Sequence, residues 1–283
     1  MPPVSPLAPP PARAMLRAAT AACALWAACA AAPVAAQQVD LQLVLAVDVS
    51  RSVDAMEGRL QRQGYVDAFS DPQLIQAILN GRFGRIAVTY FEWAERTFSR
   101  MVAPWTVIAS AADAQAFARA LTQDNVQVGT WTSLSGAIDL AAAMFPFSGF
   151  RSERRVIDIS GDGPNNDGGN VALARDDAVA GGITINGLPI LTDDGTVLNL
   201  PDLDVYYREC VIGGPGSFVI AAENFHSFGQ AILRKLILEI ADLAPTWPAA
   251  DGIIKVQQGP YFGPAAAARK YAPACEVGEY RRT

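Results

Sequence analysis

Apolar positions along the chain switch between the continuous runs of buried strands and the three-to-four-residue spacing of amphipathic helices. The segment 39–49 begins as an apolar–polar alternation and becomes a continuous apolar run. Such a run is typical of a central strand that is covered on both faces. The same pattern predicts further strands at 85–91, 97–108, 155–159, 183–191 and 217–222.

Helical spacing separates most of these strands. The pattern predicts helices at 54–69, 110–122, 132–145, 170–180 and 227–242. It also predicts a short helix that begins directly after Pro72. Strands that alternate with helices form a mostly parallel sheet. Too few residues join 85–91 to 97–108 for a helical crossover, so these two strands are expected to pair antiparallel. The sequence therefore predicts an α/β, doubly wound fold: a mostly parallel central sheet with one antiparallel edge strand and helices on both faces.

The first 36 residues differ in composition from the rest of the chain. They contain 15 Ala, 7 Pro, no acidic residue and two basic residues, Arg13 and Arg17. A basic start, an apolar stretch and a small-residue end are typical of a secretory signal peptide, and we expect cleavage between Ala36 and Gln37. A retained membrane anchor is the alternative. No later segment reaches the roughly 18 apolar residues of a membrane helix, so we expect a periplasmic or extracellular protein without a membrane span.

Charge and histidine content narrow the function classes. Loss of Arg13 and Arg17 with the signal peptide changes the net charge from −6 to −8, since all acidic residues lie beyond it. So acidic a protein is not expected to bind nucleic acid. The single histidine, His226, excludes a His-rich zinc site. We expect one domain at 37–243, followed by an irregular, proline-containing tail at 244–283.

Two cysteines, Cys210 and Cys275, lie outside the predicted signal peptide, whereas Cys23 and Cys29 lie within it. An even pair in a secreted chain favours one disulfide. This bond would attach the tail to the domain and stabilise the fold by up to about 4 kcal/mol through the entropy of the unfolded chain. Two buried free thiols are the alternative.

Oxygen-bearing side chains follow two predicted central strands. Asp48, Ser50 and Ser52 form a D-x-S-x-S pattern at the end of the first strand, where open α/β sheets bind ligands. A turn that caps the next helix would also explain this pattern alone. However, Thr132 starts a predicted helix, and Asp162 ends another central strand. Hard oxygen ligands suit Mg²⁺, Mn²⁺ or Ca²⁺, so the three loops together predict a cation site.

These loops resemble the metal-ion-dependent adhesion site of von Willebrand factor A-type (VWA) domains. That site combines a D-x-S-x-S loop, a Thr in a second loop and an Asp in a third; the resemblance covers about residues 38–242. The chain is most similar to secreted bacterial VWA proteins of unassigned function, whose third loop reads like S-G-D-G-P-N-N at 160–166. The resemblance implies a Mg²⁺ ion, or Mn²⁺ or Ca²⁺, that accepts an Asp or Glu carboxylate of a partner protein. It implies these metal ligands, some acting through water: Asp48, Ser50, Ser52, Thr132 and Asp162.

Three residues near these loops have two interpretations each. Relatives often have Gly directly before the Thr of the second loop. This chain has Trp131 at that place, and a Gly stands directly before Thr130 instead, so Thr130 is a rival ligand. Trp131 is either a contact residue at the rim of the site or an ordinary packed loop aromatic. Asp158 is either a hydrogen-bond partner of a metal-bound group or a structural residue paired elsewhere.

Two functions follow from the predicted cation site. We expect a metal-dependent protein-binding module without catalytic activity. The alternative is a metal-assisted phosphoester hydrolase that uses the same cation as a Lewis acid. Asp158 and Asp167 are the acidic residues nearest in sequence that would act as a general base, and neither is convincing.

Overall fold

A computed structural model describes residues 36–123, 125–191, 200, 202–242, 253–256 and 275–278. The predicted signal peptide, apart from Ala36, and most of the tail 244–283 lie outside the described residues. The fold below is that of the compact unit Gln37–Thr283. No helix in the described ranges has both the length and the apolar character needed to cross a membrane.

The described residues form nine strands, seven of which build the central sheet. The strands are β1 Gln37–Gln38, β2 Leu41–Asp48, β3 Ile86–Trp93, β4 Ser99–Ile108, β5 Phe150–Arg151, β6 Arg155–Gly161, β7 Thr184–Pro189, β8 Val219–Ala222 and β9 Ile253–Val256. The central sheet has the order β4-β3-β2-β6-β7-β8-β9, and β1 and β5 form a separate parallel pair. Among the described strands of the central sheet, β3 and β4 alone pair antiparallel. The predicted mostly parallel sheet with one antiparallel edge strand is confirmed.

Helices cover both faces of the sheet. Within the described ranges they are α1 Ala55–Ser70, α2 Pro72–Leu79, α3 Ala111–Ala120, α4 Leu134–Met144, α5 Val171–Ala180, α6 Leu203–Tyr206 and α7 Phe228–Ile240, with a 3₁₀ turn at Phe145–Phe147 and a π-helical turn at Tyr207–Val211. One core packs α1, α2, α3 and α7 against Leu43 and Leu45 of β2, and the other packs α4, α5 and α6 against Val44 and Ala46. Since side chains alternate along a strand, β2 supplies both cores, which explains its continuous apolar run.

The strand order explains where a ligand would bind. The chain passes from β2 outward to β3 and β4 and then returns to β6 on the other side of β2, so the winding reverses beside β2. Open α/β sheets bind ligands at the carboxyl ends of strands at such a reversal. Asp48 is the last residue of β2, and Asp162 directly follows β6. Both acidic residues therefore lie at this edge of the sheet.

The tail departs from the sequence prediction at one point. It is predicted to be irregular, but Ile253–Val256 form β9, which pairs parallel with β8 at the edge of the sheet. Four residues are too few for an alternating pattern to show in the sequence, and the strand forms because the backbone of β8 offers open hydrogen-bonding groups. Farther along, Cys275 forms the predicted disulfide with Cys210, with 5.4 Å between their Cα atoms.

Candidate metal site

The first loop of the site, residues 48–52, folds back on the side chain of Asp48. The backbone amide of Ser50 donates to Asp48 Oδ1 at 2.7 Å. From α1, Gln61 Nε2 donates to the Asp48 backbone carbonyl at 3.1 Å. Asp54 caps α1 by accepting two amides of its first turn. Because Asp54 supplies the cap, capping does not account for the hydroxyls of the D-x-S-x-S pattern.

The side chains of three loops meet at the strand ends. Ser50 Oγ lies 3.2 Å from Ser52 Oγ, and Thr132 Oγ1 donates to Ser50 Oγ at 3.1 Å. Ser52 Oγ donates to Asp162 Oδ1 at 2.6 Å. Together with Asp48, which accepts the amide of Ser50, the structure brings all five predicted ligands into one hydrogen-bonded network.

The two carboxylates of this network are buried. Asp48 is 0% exposed and Asp162 is 2% exposed. Burial raises the pKa of Asp48 well above its ordinary range, and the negative charge of Asp162 raises it further. No described residue donates a hydrogen bond to the second carboxylate oxygen of Asp48, Oδ2. Buried carboxylates are costly without a compensating charge, so a cation at this place would relieve both the repulsion and the missing hydrogen bond.

The donor set fits a hard divalent cation. Two carboxylates and three hydroxyls are the ligand type that Mg²⁺, Mn²⁺ and Ca²⁺ prefer. No three His, Cys, Asp or Glu side chains in the described parts of the chain come together as a metal site, so hydroxyls make up most of this one. Gly161 keeps space beside the carboxylate, because a Cβ there would lie 2.7 Å from Asp48 Oδ2 and 2.8 Å from the hydroxyl of Tyr207.

The second loop presents Thr132 to the network rather than Thr130. Thr132 is 4% exposed, and its amide donates to Asn166 Oδ1 at 2.8 Å. The amide of Asn166 donates back to the Thr132 carbonyl, also at 2.8 Å, which ties the second loop to the third. Thr130 is exposed, and its amide donates to Glu95 Oε2 at 2.7 Å. Trp131, between the two threonines, is 41% exposed at the surface of the loop.

Asp158 lies on the face of β6 that packs against α7. Lys235 Nζ is 2.6 Å from Asp158 Oδ1 and 2.5 Å from Glu239 Oε1, and all three side chains are fully buried. From β7, Asn186 Nδ2 donates to Glu239 Oε1 at 2.8 Å. The structure therefore places Asp158 in a buried charge cluster between the sheet and α7. This placement corresponds to the structural interpretation of the residue.

Replacing Asp158 by Asn is expected to remove part of the pH dependence of stability. Burial raises the pKa of Asp158 from its ordinary 3.8 to about 7; Glu239 also raises it, whereas Lys235 lowers it. The folded chain therefore holds a proton that the unfolded chain releases between these values, so stability is lost as the pH rises through this window. Between about pH 5.5 and 7.5, the free energy of unfolding of the wild type should fall by about 2 kcal/mol more than that of Asp158→Asn. Urea denaturation without metal measures the free energy of unfolding of both chains. An equal dependence of this free energy on pH in the two chains would contradict the raised pKa of Asp158.

Several residues that support the candidate ligands have no assigned role in the sequence motifs. They include Gln61, Asn165, Asn166, Tyr206 and Tyr207, which contact the loops through backbone groups or single hydroxyls. The S-G-D-G-P-N-N segment at 160–166 is the one sequence signal that pointed to two of them. Such supporting contacts carry no characteristic spacing, because each depends on the packing of distant segments.

Among solved structures, the chain resembles three proteins at low sequence identity. The open form of the pilus adhesin SpaC from Lactobacillus rhamnosus GG is 14% identical with a TM-score of 0.52, covering 72% of this chain and 30% of that one. Proximal thread matrix protein 1 (PTMP1) from the mussel byssus is 14% identical with a TM-score of 0.52, covering 72% and 49%. A von Willebrand factor type A protein from Catenulispora acidiphila is 13% identical with a TM-score of 0.48, covering 71% and 43%. The chain thus spans half or less of each of these proteins.

The likenesses to SpaC and PTMP1 show the fold, and it is the VWA fold that the three-loop motif implies. No curated protein matches the chain. The family described as "Protein of unknown function (DUF1194)" matches residues 38–244. That match includes every strand of the central sheet except β9 and all three loops of the site. The chain is therefore a member of the DUF1194 family, built on a VWA fold.

Proposed function

We propose that the chain is a periplasmic or extracellular protein-binding module that recognises a partner carboxylate through a divalent cation, with Mg²⁺ as the expected ion. One observation carries the proposal: five oxygen-bearing side chains from three loops converge beside a buried carboxylate oxygen to which no described residue donates. The ligands would be Asp48, Ser50, Ser52, Thr132 and Asp162. When bound, the cation supplies a positively charged coordination position for an oxygen from outside the chain.

The exposure of the loop residues supports an approach from solvent. Asp48 lies at the buried base of the site, whereas Ser52 is exposed at its mouth. Beside Ser52, Arg51 is exposed and adds positive charge, and the partly exposed Trp131 adds an aromatic surface. Positive charge steers acidic partners, and aromatic residues are enriched at the centres of protein interfaces. The mouth of the site is thus suited to an acidic segment of a protein.

The fold neighbours and the disulfide are in keeping with this role. SpaC is a pilus adhesin, and PTMP1 is a matrix protein of the byssus thread. The bond between Cys210 and Cys275 is typical of an oxidising compartment. These facts support adhesion outside the cytoplasm as the setting of the proposed function.

The placement of the two acidic residues considered as general bases supports binding without catalysis. Asp158 is held by Lys235 between β6 and α7. Asp167 is 6% exposed, and its Oδ2 accepts the backbone amide of Arg96 at 2.8 Å. A general base must reach the proton that it removes, and both carboxylates are engaged with the protein instead.

Replacing Thr132 by Val tests the proposed function with a matched control. Valine keeps the branched shape but removes the hydroxyl that contacts Ser50, so we expect the Mg²⁺ dissociation constant in calorimetry to rise at least about tenfold. Mg²⁺-dependent capture of a partner from envelope extract should be lost with it. Thr130→Val, the same change at an exposed position two residues away, should alter the dissociation constant less than about twofold.

Three outcomes would contradict the proposal. Partner capture that persists unchanged in chelator would rule out a metal-bridged contact. Equal effects of Thr132→Val and Thr130→Val would remove Thr132 from the ligand set. A wild-type chain that binds none of Mg²⁺, Mn²⁺ or Ca²⁺ at millimolar concentration would overturn the cation site itself.

A further inference from the structure

The third loop of the site is connected to the C-terminal tail through one tyrosine. The backbone amide of Asn165, three residues after Asp162, donates to the Tyr206 hydroxyl at 3.1 Å. That hydroxyl donates in turn to the backbone carbonyl of Cys275 at 3.3 Å. Tyr206 is fully buried. A single hydroxyl therefore joins the backbone of the loop to the backbone of the tail.

A second contact brings the tail directly onto the same loop. Gly278 is buried, and a Cβ at this position would lie 2.0 Å from the carbonyl oxygen of Asn165 and 3.3 Å from Pro164 Cβ. Only glycine permits so close an approach of two backbones. At the start of α5, Asn170 Nδ2 donates to Glu276 Oε1 at 3.4 Å. The tail residues 275–278 thus lie along the loop from Pro164 to Asn170.

The tail is held in this position by a covalent bond and by packing. Cys275 is bonded to Cys210, which belongs to the π-helical turn that begins directly after Tyr206. Cys275 and Val277 also pack against the core under α4, α5 and α6. π-Helical turns are rare and are frequently found at functional sites. Tyr206 and the disulfide are therefore close together in the chain, and both hold the tail at the loop.

Hydrogen bonds connect the third loop to the segment that carries Thr132. Asn165 Oδ1 accepts the backbone amide of Ser135 in α4 at 3.1 Å. Asn166 exchanges hydrogen bonds with the backbone of Thr132 in both directions. A shift of the loop at Asn165 would therefore change the position of Asp162 relative to Thr132. Outer contacts of this kind orient metal ligands and tune metal affinity.

We propose that Tyr206 and the tail segment Cys275–Gly278 are positioning residues of the cation site, which hold the third loop in its ligating arrangement and thereby raise the affinity for the cation. The proposal rests on the proposed function, since it presupposes a cation site. It adds a C-terminal element to that site, because the segment lies beyond the residues 38–244 that match the family.

Two variants and two matched controls test the positioning role. Gly278→Ala forces the tail away from Asn165, and Tyr206→Phe removes the connecting hydroxyl, so each should raise the Mg²⁺ dissociation constant about tenfold. Gly169→Ala is the control for the first, because a Cβ there meets nothing within 4 Å. Tyr90→Phe is the control for the second, because Tyr90 is buried in the core on the other face of the sheet. Both controls should stay within about twofold of the wild type.

Hydrogen exchange of the metal-free chain provides a readout that does not depend on cation binding. The amides of Asn165 and Asn166 should exchange faster in Gly278→Ala and Tyr206→Phe than in the controls, whereas the amides of β2 should keep their protection and show an intact fold. Variants that bind Mg²⁺ as the wild type does, or that leave loop exchange unchanged, would overturn this proposal alone. A wild-type chain without Mg²⁺ binding would overturn the proposed function and this proposal together.

Discussion

Replacing Asp48 by Asn is expected to abolish most Mg²⁺ binding while leaving the fold intact. The amide side chain keeps an oxygen that accepts the hydrogen bond from Ser50, but it lacks the negative charge that the site provides at its buried base. Loss of an outer contact typically costs 10- to 100-fold in metal affinity. For a charged ligand we expect more than about 100-fold, or about 2.8 kcal/mol, measured by calorimetric titration of Mg²⁺.

The same substitution should have the opposite effect on the stability of the metal-free chain. Burial and the charge of Asp162 raise the pKa of Asp48, which means that the ionised carboxylate is destabilising in the absence of a cation. A neutral amide removes this cost, so the free energy of unfolding without metal should be equal to or higher than that of the wild type. Saturating Mg²⁺ should then stabilise the wild type, by about 2.7 kcal/mol at 100 times the dissociation constant, but not the variant.

Asp54→Asn is the matched control for this pair of measurements. Asp54 is an exposed carboxylate six residues farther along, and it caps α1. Asn caps helices about as well as Asp, so neither Mg²⁺ affinity nor metal-free stability should change appreciably. An Asp48→Asn chain that binds Mg²⁺ like the wild type would exclude Asp48 from the site. A variant that unfolds without metal would show instead that the carboxylate serves the fold.

The hydrophobic pattern was sufficient to predict most of the fold because the central strands are long and apolar. The strand predicted at 39–49 is Leu41–Asp48, and the one predicted at 97–108 is Ser99–Ile108. Two elements could not be assigned. The strand β9 is too short to show a period, and the apolar residues of 203–211 follow neither a strand nor a regular helix, since α6 continues into a π-helical turn.

The convergence of the five candidate ligands was predictable from the sequence, whereas the residues that support them were not. Four of the five candidate ligands lie in short motifs directly after strands, and Thr132 lies just before α4. Parallel strands bring their carboxyl ends to one edge. Tyr206 and Gly278 have no such motif, because their roles arise only when the tail folds back onto the third loop. The role of Asp158 was predictable only in part. A charge inside a central strand indicated a buried partner, but nothing in the sequence pointed to Lys235 on α7.

Replacing Lys235 by Met is expected to lower the free energy of unfolding by about 3–5 kcal/mol. Lys235 is the positive member of the buried cluster, placed between Asp158 and Glu239. Methionine matches its length but leaves two carboxylates facing each other without a compensating charge. Removing one partner of a buried ion pair is costly for this reason, even where a fully apolar replacement would be tolerated. Chemical denaturation at about pH 7.5, above the pKa of about 7 of Asp158 in the wild type, measures the loss.

Two further variants separate the charge effect from a general effect on α7. Arg234→Met changes the neighbouring, solvent-exposed cation of the same helix and should cost less than about 1 kcal/mol. Adding Asp158→Asn to Lys235→Met removes one of the two opposed carboxylates and should restore part of the stability, whereas a further loss would contradict the charge explanation.

The Mg²⁺ affinity of folded Lys235→Met should stay within about threefold of the wild type, because the cluster lies between β6 and α7 and the candidate ligands lie at the strand ends. A larger change in affinity would instead show that the packing of α7 on β6 controls the metal loops.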